Sequence, residues 1–386
     1  MNKSSRGGRF VRQQAGTDGF SAFIPSPLPP VPPLNLSDGQ EAIREAASHA
    51  LGKLDGVARM LPDPGLLLYT YIRKEAVLSS QIEGTQSTLT ELLEYESAEA
   101  PGAPNEDVLE VSNYVAALTH GLERIRQHEL PLSLRLIGEM HAILLRGGRG
   151  GTKDPGRFRQ SQNWIGGTRP GNARYVPPPA HEVVPALDNL EKFVHDSYGK
   201  TPPLLKAGFV HAQFETIHPF LEGNGRLGRL LIMLLLCSDQ VLDHPLLYLS
   251  LHFKLHKEAY FESLQRVRTD GDWEGWFEFY LEGVRQVAEQ AAETSMRIQR
   301  LFTEDHRRIL TGKGAASGAR MHELLSGRGV VSIPRAAKLL SVTQPTATAA
   351  IRRLEGLGIV REITGRQWGR QYVYSEYLKI LNEGTE

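Results

Sequence analysis

The stretch His218-Pro219-Phe220-Leu221-Glu222-Gly223-Asn224-Gly225-Arg226-Leu227-Gly228-Arg229 decides how the rest of this chain is read. Physically it describes an anion site. Gly223 and Gly225 permit backbone conformations closed to other residues and let main chain approach a ligand closely. The loop runs into an apolar helical pattern that begins near Arg226. Unpaired N–H groups at such a helix start, together with the positive end of its dipole, suit phosphate. Arg226 and Arg229 are three residues apart, hence on one helical face, and each can grip phosphate oxygens with a planar fork. Glu222 offers a hard oxygen ligand for a phosphate-bound Mg²⁺. His218, just before the loop, is placed to take a proton from an incoming hydroxyl.

Each of these residues has an ordinary structural reading when taken alone. A His before Pro caps helices, a G-x-G is common, and two Arg on a helix can simply be solvated. The joint spacing is more specific. It resembles the signature of the Fic family, His-Pro-Phe-x-(Asp/Glu)-Gly-Asn-Gly-Arg-x-x-Arg, and matches it at every fixed position. The resemblance implies that His218 is the general base and that Glu222 holds Mg²⁺ on the α- and β-phosphates of ATP. It implies that the Gly223–Gly225 backbone with Asn224 cradles the phosphates, that Arg226 contacts the triphosphate and that Arg229 orients the γ-phosphate. The related Doc kinases have Lys where this chain has Gly225, so the resemblance favours transfer of AMP over transfer of a phosphoryl group. Glu215-x-x-His218 also has the helical spacing of di-iron carboxylate bundles. Such a bundle needs a second Glu-x-x-His, which the sequence lacks.

Upstream, Ser79-Ser80-Gln81-Ile82-Glu83-Gly84 resembles a second signature of the family, (Ser/Thr)-x-x-x-Glu-(Gly/Asn). Ser79 and Glu83 share a helical face, and Gly84 can end the helix. The run from Arg73-Lys74-Glu75-Ala76 to Thr85 is similar to the N-terminal portion of bacterial Fic proteins. The resemblance implies that Glu83 pairs with Arg229 in the place the γ-phosphate needs. Between the two motifs, Gly156-Arg157-Phe158-Arg159 and Gln162-Asn163-Trp164-Ile165-Gly166-Gly167, ending at Tyr175-Val176-Pro177-Pro178-Pro179, resemble the Fic flap. That implies a β-hairpin over the site whose edge docks the target protein. Tyr260, Phe261 and Leu264 lie where the family lines the adenine pocket.

The surroundings fit a helical protein of two or three domains. The chain has 386 residues, 40% hydrophobic and 23% charged, with 44 Lys+Arg balancing 44 Asp+Glu. Whole-chain charge therefore gives no argument for a nucleic-acid or membrane partner. Cys237 is the single cysteine, so no internal disulfide is possible, and no apolar segment is long enough to span a bilayer. A cytoplasmic location is expected. Residues 1–36 are Gly/Arg-rich and then Pro-rich, which predicts an extended arm of polyproline type. Helical periodicity predicts a helical segment over 37–107 with a loop at its end, and a Fic core over 108–295. A helix and a Gly/Ala/Ser-rich linker follow over 296–318.

The tail, 319–386, reads as a winged helix. Ile333–Leu340 is a short helix, Ser341–Thr343 a turn, Gln344–Leu357 a second helix, and Ile359–Ile363 and Gln371–Tyr374 a strand pair around a wing at Gly365–Gly369. From Arg320 to Glu386 there are ten Lys/Arg and six Asp/Glu. Thr346, Thr348, Arg352, Arg353, Arg366 and Arg370 are the candidates for DNA contact. The expected fold class is thus mainly α: a Fic helical core with a small β-hairpin flap and a C-terminal winged helix-turn-helix domain. The expected activity is protein adenylylation from Mg-ATP onto a Tyr, Thr or Ser hydroxyl of a target, or of the protein itself, with a homodimer as the candidate assembly. The rival readings are a nucleotide-sensing transcription regulator that binds DNA, and removal of AMP in the same site with Glu83 positioning water.

Overall fold

The computed structural model describes residues 4–15, 18–60, 64–97, 105–196, 201–311, 314–365 and 369–383. In chain order, α1 (Ser4–Gly7) leads into a hairpin of β1 (Gly8–Ala15) and β2 (Asp18–Pro25). Helices α2 (Asp38–Met60), α3 (Pro64–Ile82), α4 (Leu89–Ser97), α5 (Glu106–Arg126) and α6 (Leu134–Leu144) follow. After a long loop come α7 (Ala180–His195), α8 (Pro203–Ile217), α9 (Asn224–Ser238), α10 (Ser250–Leu255), α11 (Lys257–Asp270) and the 37-residue α12 (Trp273–Ile309). The tail holds α13 (Ala315–Arg328), β3 (Val330–Ser332), α14 (Ile333–Leu340), α15 (Gln344–Gly356), β4 (Val360–Glu362), β5 (Gln371–Tyr374) and α16 (Ser375–Asn382). No helix among the described residues is long and apolar enough to cross a membrane.

The chain packs as two compact units, neither of which is one continuous segment. The first comprises Met1–Gly52, Asn113–Asp243 and His252–Gln286. Its centre is the α8–α9 pair. Every residue of α8 from Ala207 to Ile217 is buried, and so is α9 from Leu227 to Leu236. An all-round apolar surface is what a helix at the middle of a core requires. Small residues set the approach distances. A Cβ on Gly208 would lie 2.7 Å from the Phe277 ring, and the indole N–H of Trp276 donates to the Gly208 carbonyl at 3.1 Å. A Cβ on Gly228 would lie 2.5 Å from a Glu215 carboxylate oxygen, so α8 and α9 approach closely just beside the quoted motif.

The N-terminal arm differs from the sequence expectation. Residues 8–15 and 18–25 pair as antiparallel strands with Phe10 opposite Phe23, and among the described residues of the arm the segment after Pro25 is irregular. The Gly, Arg and Pro content suggests an extended arm, and the strands are made by pairing with each other. Phe23 is buried, and its N–H donates to the Val176 carbonyl at 2.9 Å, tying the hairpin to the end of the loop that follows α6.

The second unit comprises Lys53–Ser112, His244–Leu251 and Val287–Glu386. Helix α3 packs in it against α13 of the tail. The Thr70 hydroxyl is 2.7 Å from the Tyr377 hydroxyl, and the Lys74 ammonium donates to the Glu383 carbonyl at 3.2 Å. Burial lowers the Lys74 pKa to about 8. Glu75, equally enclosed, accepts from the Ser250 N–H at 3.1 Å and from its hydroxyl at 2.5 Å. In the tail β3, β5 and β4 lie side by side in one antiparallel sheet. Helices α14 and α15 start at Ser332 and Thr343, whose hydroxyls accept from N–H groups three residues on, with Pro in the first turn of each.

Two expectations about the tail change. The linker expected over 312–318 is shorter, because α13 already begins at Ala315. Arg353, a DNA-contact candidate, instead caps the end of α12 by donating to the carbonyls of Ile309, at 2.8 Å, and of Thr311. Thr346 and Arg352 are exposed on α15, and so is Arg370, whereas Arg366 lies outside the described residues.

Candidate active site

The motif begins where α8 stops. His218 is the C-cap of α8 in the left-handed conformation, φ 49° and ψ 60°, with its N–H on the Phe214 carbonyl at 2.9 Å. A non-glycine residue there costs about 1 kcal/mol or more and persists only where surrounding contacts enforce it. Arg159 supplies much of that enforcement. It is 3% exposed. Its guanidinium donates to the carbonyls of His218 at 2.9 Å, Pro178 at 2.6 Å and Ser161 at 3.0 Å, and its own N–H donates to Pro219 at 2.9 Å. Burial lowers its pKa to about 10, so it remains a cation at neutral pH. The Nδ1 of His218 is 3.9 Å from the Glu215 carboxylate, and the His218 side chain stays 19% exposed.

The loop then turns into α9. Gly223 is the N-cap, at φ 79°, and no side chain caps the helix, so its first N–H groups are left to the loop and to whatever binds there. Asn224 is buried. Its amide both donates to and accepts from Phe220, at 2.8 and 2.9 Å. The Asn224 side chain thus closes the loop upon itself. Phe220 is fully buried, which supports its reading as the loop's anchor. Arg226 and Arg229 are 2% and 3% exposed within the first turns of α9. His218, Leu221, Glu222 and Gly225 are the partly exposed members of the motif.

Sequence reasoning missed His141. Its ring stacks on Phe220 with centroids 3.6 Å apart. Nε2 is 2.9 Å from the Glu222 carbonyl, and the Gly156 N–H donates to Nδ1 at 2.8 Å. Accepting at Nδ1 requires the neutral ring with its proton on Nε2. Burial, with a contribution from Arg226, depresses its pKa to about 4, against the raising effect of the Glu222 carbonyl. On the apolar face of α6, beside Leu136, Ile137, Met140 and Leu144, a lone His carries no such signal. His141→Phe should keep the stacking and remove both hydrogen bonds. Leaving a buried donor and acceptor unmatched costs about 1–3 kcal/mol. A lowered thermal midpoint together with slower catalysis in the folded variant is the expected result, checked by calorimetry and initial rates.

The flap residues divide. Asn163 donates to the carbonyls of Phe220 at 2.9 Å and His218 at 3.3 Å, so its amide faces the motif loop and not a docking partner. Gln162 donates to the carbonyls of Asn163 and Pro177 at 2.9 and 3.0 Å. Trp164 is 39% exposed, and Gly166 is exposed at φ 71°. The antiparallel pairing is confined to one bridge, Ile165 with Tyr175, followed inside the loop by a 3₁₀ turn at Pro170–Asn172. Around the expected adenine pocket, Tyr260 is fully buried, stacked on Phe253 and 2.8 Å from Nε2 of His211. Leu264 is buried and Phe261 half-buried. Burial holds the His211 pKa down at about 3, so that histidine is a neutral core residue.

Of the second motif, Ser79 is buried near the end of α3, and the helix stops at Ile82. Glu83 and Gly84 are exposed in the turn that follows, with Gly84 at φ 98°. Their N–H groups donate to Ser80 and Gln81 at 3.0 and 3.1 Å. Glu83 belongs to the second unit and Arg229 to the first.

The helical core thus carries a glycine-capped helix start, two buried arginines in its first turns and a histidine at the preceding helix end. Residues 42–123 match the Fic/DOC family N-terminal region, and residues 131–236 match the Fic/DOC family itself. The chain is a Fic-domain protein. Its fold is shared with a Fic family protein from Desulfovibrio desulfuricans (TM-score 0.58, 20% identity, 89% of this chain and 98% of that one). A Fic-domain-containing signaling protein from Bacteroides thetaiotaomicron covers 66% of this chain and 97% of its own, with TM-score 0.51 and 17% identity. The protein adenylyltransferase Fic of Drosophila willistoni is 31% identical over 112 residues, 28% of this chain. That match spans 20% of the fly protein's length.

Proposed function

We propose that this protein transfers AMP from ATP to a hydroxyl group of a protein. The observation that carries the reading is the helix end at His218 set against the uncapped start of α9 with Arg226 and Arg229 in its first turns. The relatives named as protein adenylyltransferases support the same direction. In this reading the Gly223–Gly225 backbone and Arg226 hold the triphosphate, Arg229 orients the γ-phosphate, and Phe261 and Leu264 border the adenine. The target hydroxyl oxygen attacks the α-phosphorus, the bond from that phosphorus to the β-bridging oxygen breaks, and pyrophosphate departs. The hydroxyl proton passes to His218, and the Glu215 carboxylate steadies the imidazolium that forms.

Glu222 is a partly exposed carboxylate at the mouth of the loop. Mg²⁺ is commonly held by one or two carboxylates plus substrate phosphates, and this single side chain fits that pattern. Bound there, the ion would offset phosphate charge. We read Glu83 as an inhibitor that pairs with Arg229 and so competes with the γ-phosphate.

ATP labelled at the α-phosphate is expected to label protein, and ATP labelled at the γ-phosphate is not. Glu222→Ala should remove the divalent-ion dependence together with the activity, with Glu222→Asp retaining part of it. Label arriving from the γ-position would instead mean phosphoryl transfer. Loss of label from a previously adenylylated protein on adding the enzyme, abolished in Glu83→Gly, would mean the reaction runs in the opposite direction.

A further inference from the structure

Between Arg146 and Pro179 the chain carries seven basic residues and one acid, Asp154. Arg159 is the buried anchor described above. The other six, Arg146, Arg149, Lys153, Arg157, Arg169 and Arg174, are all exposed. In a chain whose basic and acidic residues balance, this is a local concentration of positive charge. It is also held at the site. Arg159 and Asn163 bind the backbone of the turn at His218. The Gly156 N–H reaches His141, which in turn holds the Glu222 carbonyl. A Cβ on Gly150 would lie 2.6 Å from the Glu222 side chain. A loop pinned at these points runs along the motif with its remaining cations exposed.

We propose that this basic rim selects the protein substrate: it docks acidic segments, in which Asp or Glu residues flank the acceptor hydroxyl. The proposal rests on the reading of the site as a hydroxyl-modifying one. The triphosphate already has the α9 start and two buried arginines. Arg149 directly precedes Gly150, which packs against Glu222, and is left out of the docking set for that reason. Arg169 and Arg174 lie further along, at the 3₁₀ turn and at the bridge to Ile165, where the Arg174 N–H donates to Ile165 at 3.0 Å. Exposed Trp164, on the opposite limb of the bridge, adds an apolar contact for the same segment. Charged rims of this kind steer encounter and set specificity more than they add raw affinity. A single-stranded polynucleotide would answer to the same charge, but such sites stack successive bases on a series of aromatic rings. Trp164 is the one largely exposed large aromatic among the described residues of this loop.

The test uses the full-length protein and three fluorescent probes. These are a peptide with one Tyr flanked by Glu, the same peptide with Lys in place of Glu, and an oligothymidylate of equal length. By fluorescence anisotropy the Glu peptide should bind, more weakly as salt is raised, and the Lys peptide should not. Reversing two exposed charges, Arg169→Glu with Arg174→Glu, should weaken the Glu peptide by about tenfold. In transfer assays the same pair should raise KM for the Glu peptide and leave kcat and the KM for ATP unchanged. Equal binding of the Glu and Lys peptides overturns the proposal. So does an unchanged peptide KM in the double variant, or a raised KM for ATP. Tighter, charge-dependent binding of the oligonucleotide would replace the acidic protein segment with nucleic acid. The binding arm needs no turnover. Charge-selective peptide binding without any AMP transfer would therefore sink the adenylylation reading and keep the docking surface.

Discussion

His218→Ala is expected to abolish AMP transfer, by a factor of at least about 10² and up to about 10⁴, while ATP still binds. A neutral hydroxyl is a poor nucleophile, and His218, the proposed base, is partly exposed at the junction of α8 and the loop. The parts that would hold the nucleotide lie after it, from Gly223 to Arg229, and keep their own supports. Asn224 closes the loop on Phe220, and His141 holds the Glu222 carbonyl. The loss of the ring therefore leaves the phosphate cradle standing. Alanine also adopts the left-handed conformation less readily than His, so some loss of stability accompanies the change. His218→Asn separates the two effects. Asn tolerates that conformation and cannot serve as the base. Undiminished transfer by folded His218→Asn would remove His218 from the chemistry.

Glu83→Gly is expected to raise transfer and to tighten productive ATP binding. The proposed pairing makes one guanidinium, Arg229, serve two carriers of negative charge, the Glu83 carboxylate and the γ-phosphate. Removing the carboxylate frees the arginine and removes repulsion against the incoming triphosphate. The structure makes this a clean substitution. Helix α3 has ended at Ile82, Glu83 is exposed, and its N–H already bonds within the turn. Glycine there interrupts no helix interior and opens no cavity. Ser79 is buried one turn earlier, so Ser79→Ala should activate more weakly and at some cost in stability. Arg229→Ala should be inactive alone and in combination with Glu83→Gly, because in the proposed function the arginine serves catalysis as well as inhibition. The pairing is wrong if folded Glu83→Gly shows no gain over the unaltered protein. It is equally wrong if the double variant is as active as Glu83→Gly.

The exposed rim links these predictions to the substrate. Activation by Glu83→Gly concerns the nucleotide, whereas the charges at Arg169 and Arg174 concern the acceptor. The two effects are therefore expected to combine as independent factors, the first on ATP and the second on the KM for the peptide.

Much of the molecule follows from local pattern. The glycines and arginines of 223–229 mark a loop entering a helix because their chemistry is local, and α9 begins at Asn224, two residues before the start expected near Arg226. In the tail, α14 runs over Ile333–Leu340 and β5 over Gln371–Tyr374, the spans that apolar spacing and turn residues delimit. Strand β3 has three residues, too few to show a period, and is made by pairing with β5. Hairpin pairing likewise decided the fate of residues 8–25, where composition pointed to an extended arm.

The supports of the candidate site were settled by tertiary contact alone. Arg159 looks like any arginine in a Gly-rich loop, yet it is buried because four carbonyls of the chain converge on its guanidinium. Asn163 and Asn224 have amides able to face solvent, a ligand or backbone, and the carbonyl of Phe220 claimed both. His141 is separated from Glu222 by 81 positions, and only the packing of α6 against the loop brings its ring to that carbonyl. Sequence by itself supplied the candidates for chemistry here, since side-chain type and spacing are local properties. The tertiary structure alone decided which residues hold them in place, since a buried hydrogen bond is formed with whatever the fold brings within about 3 Å.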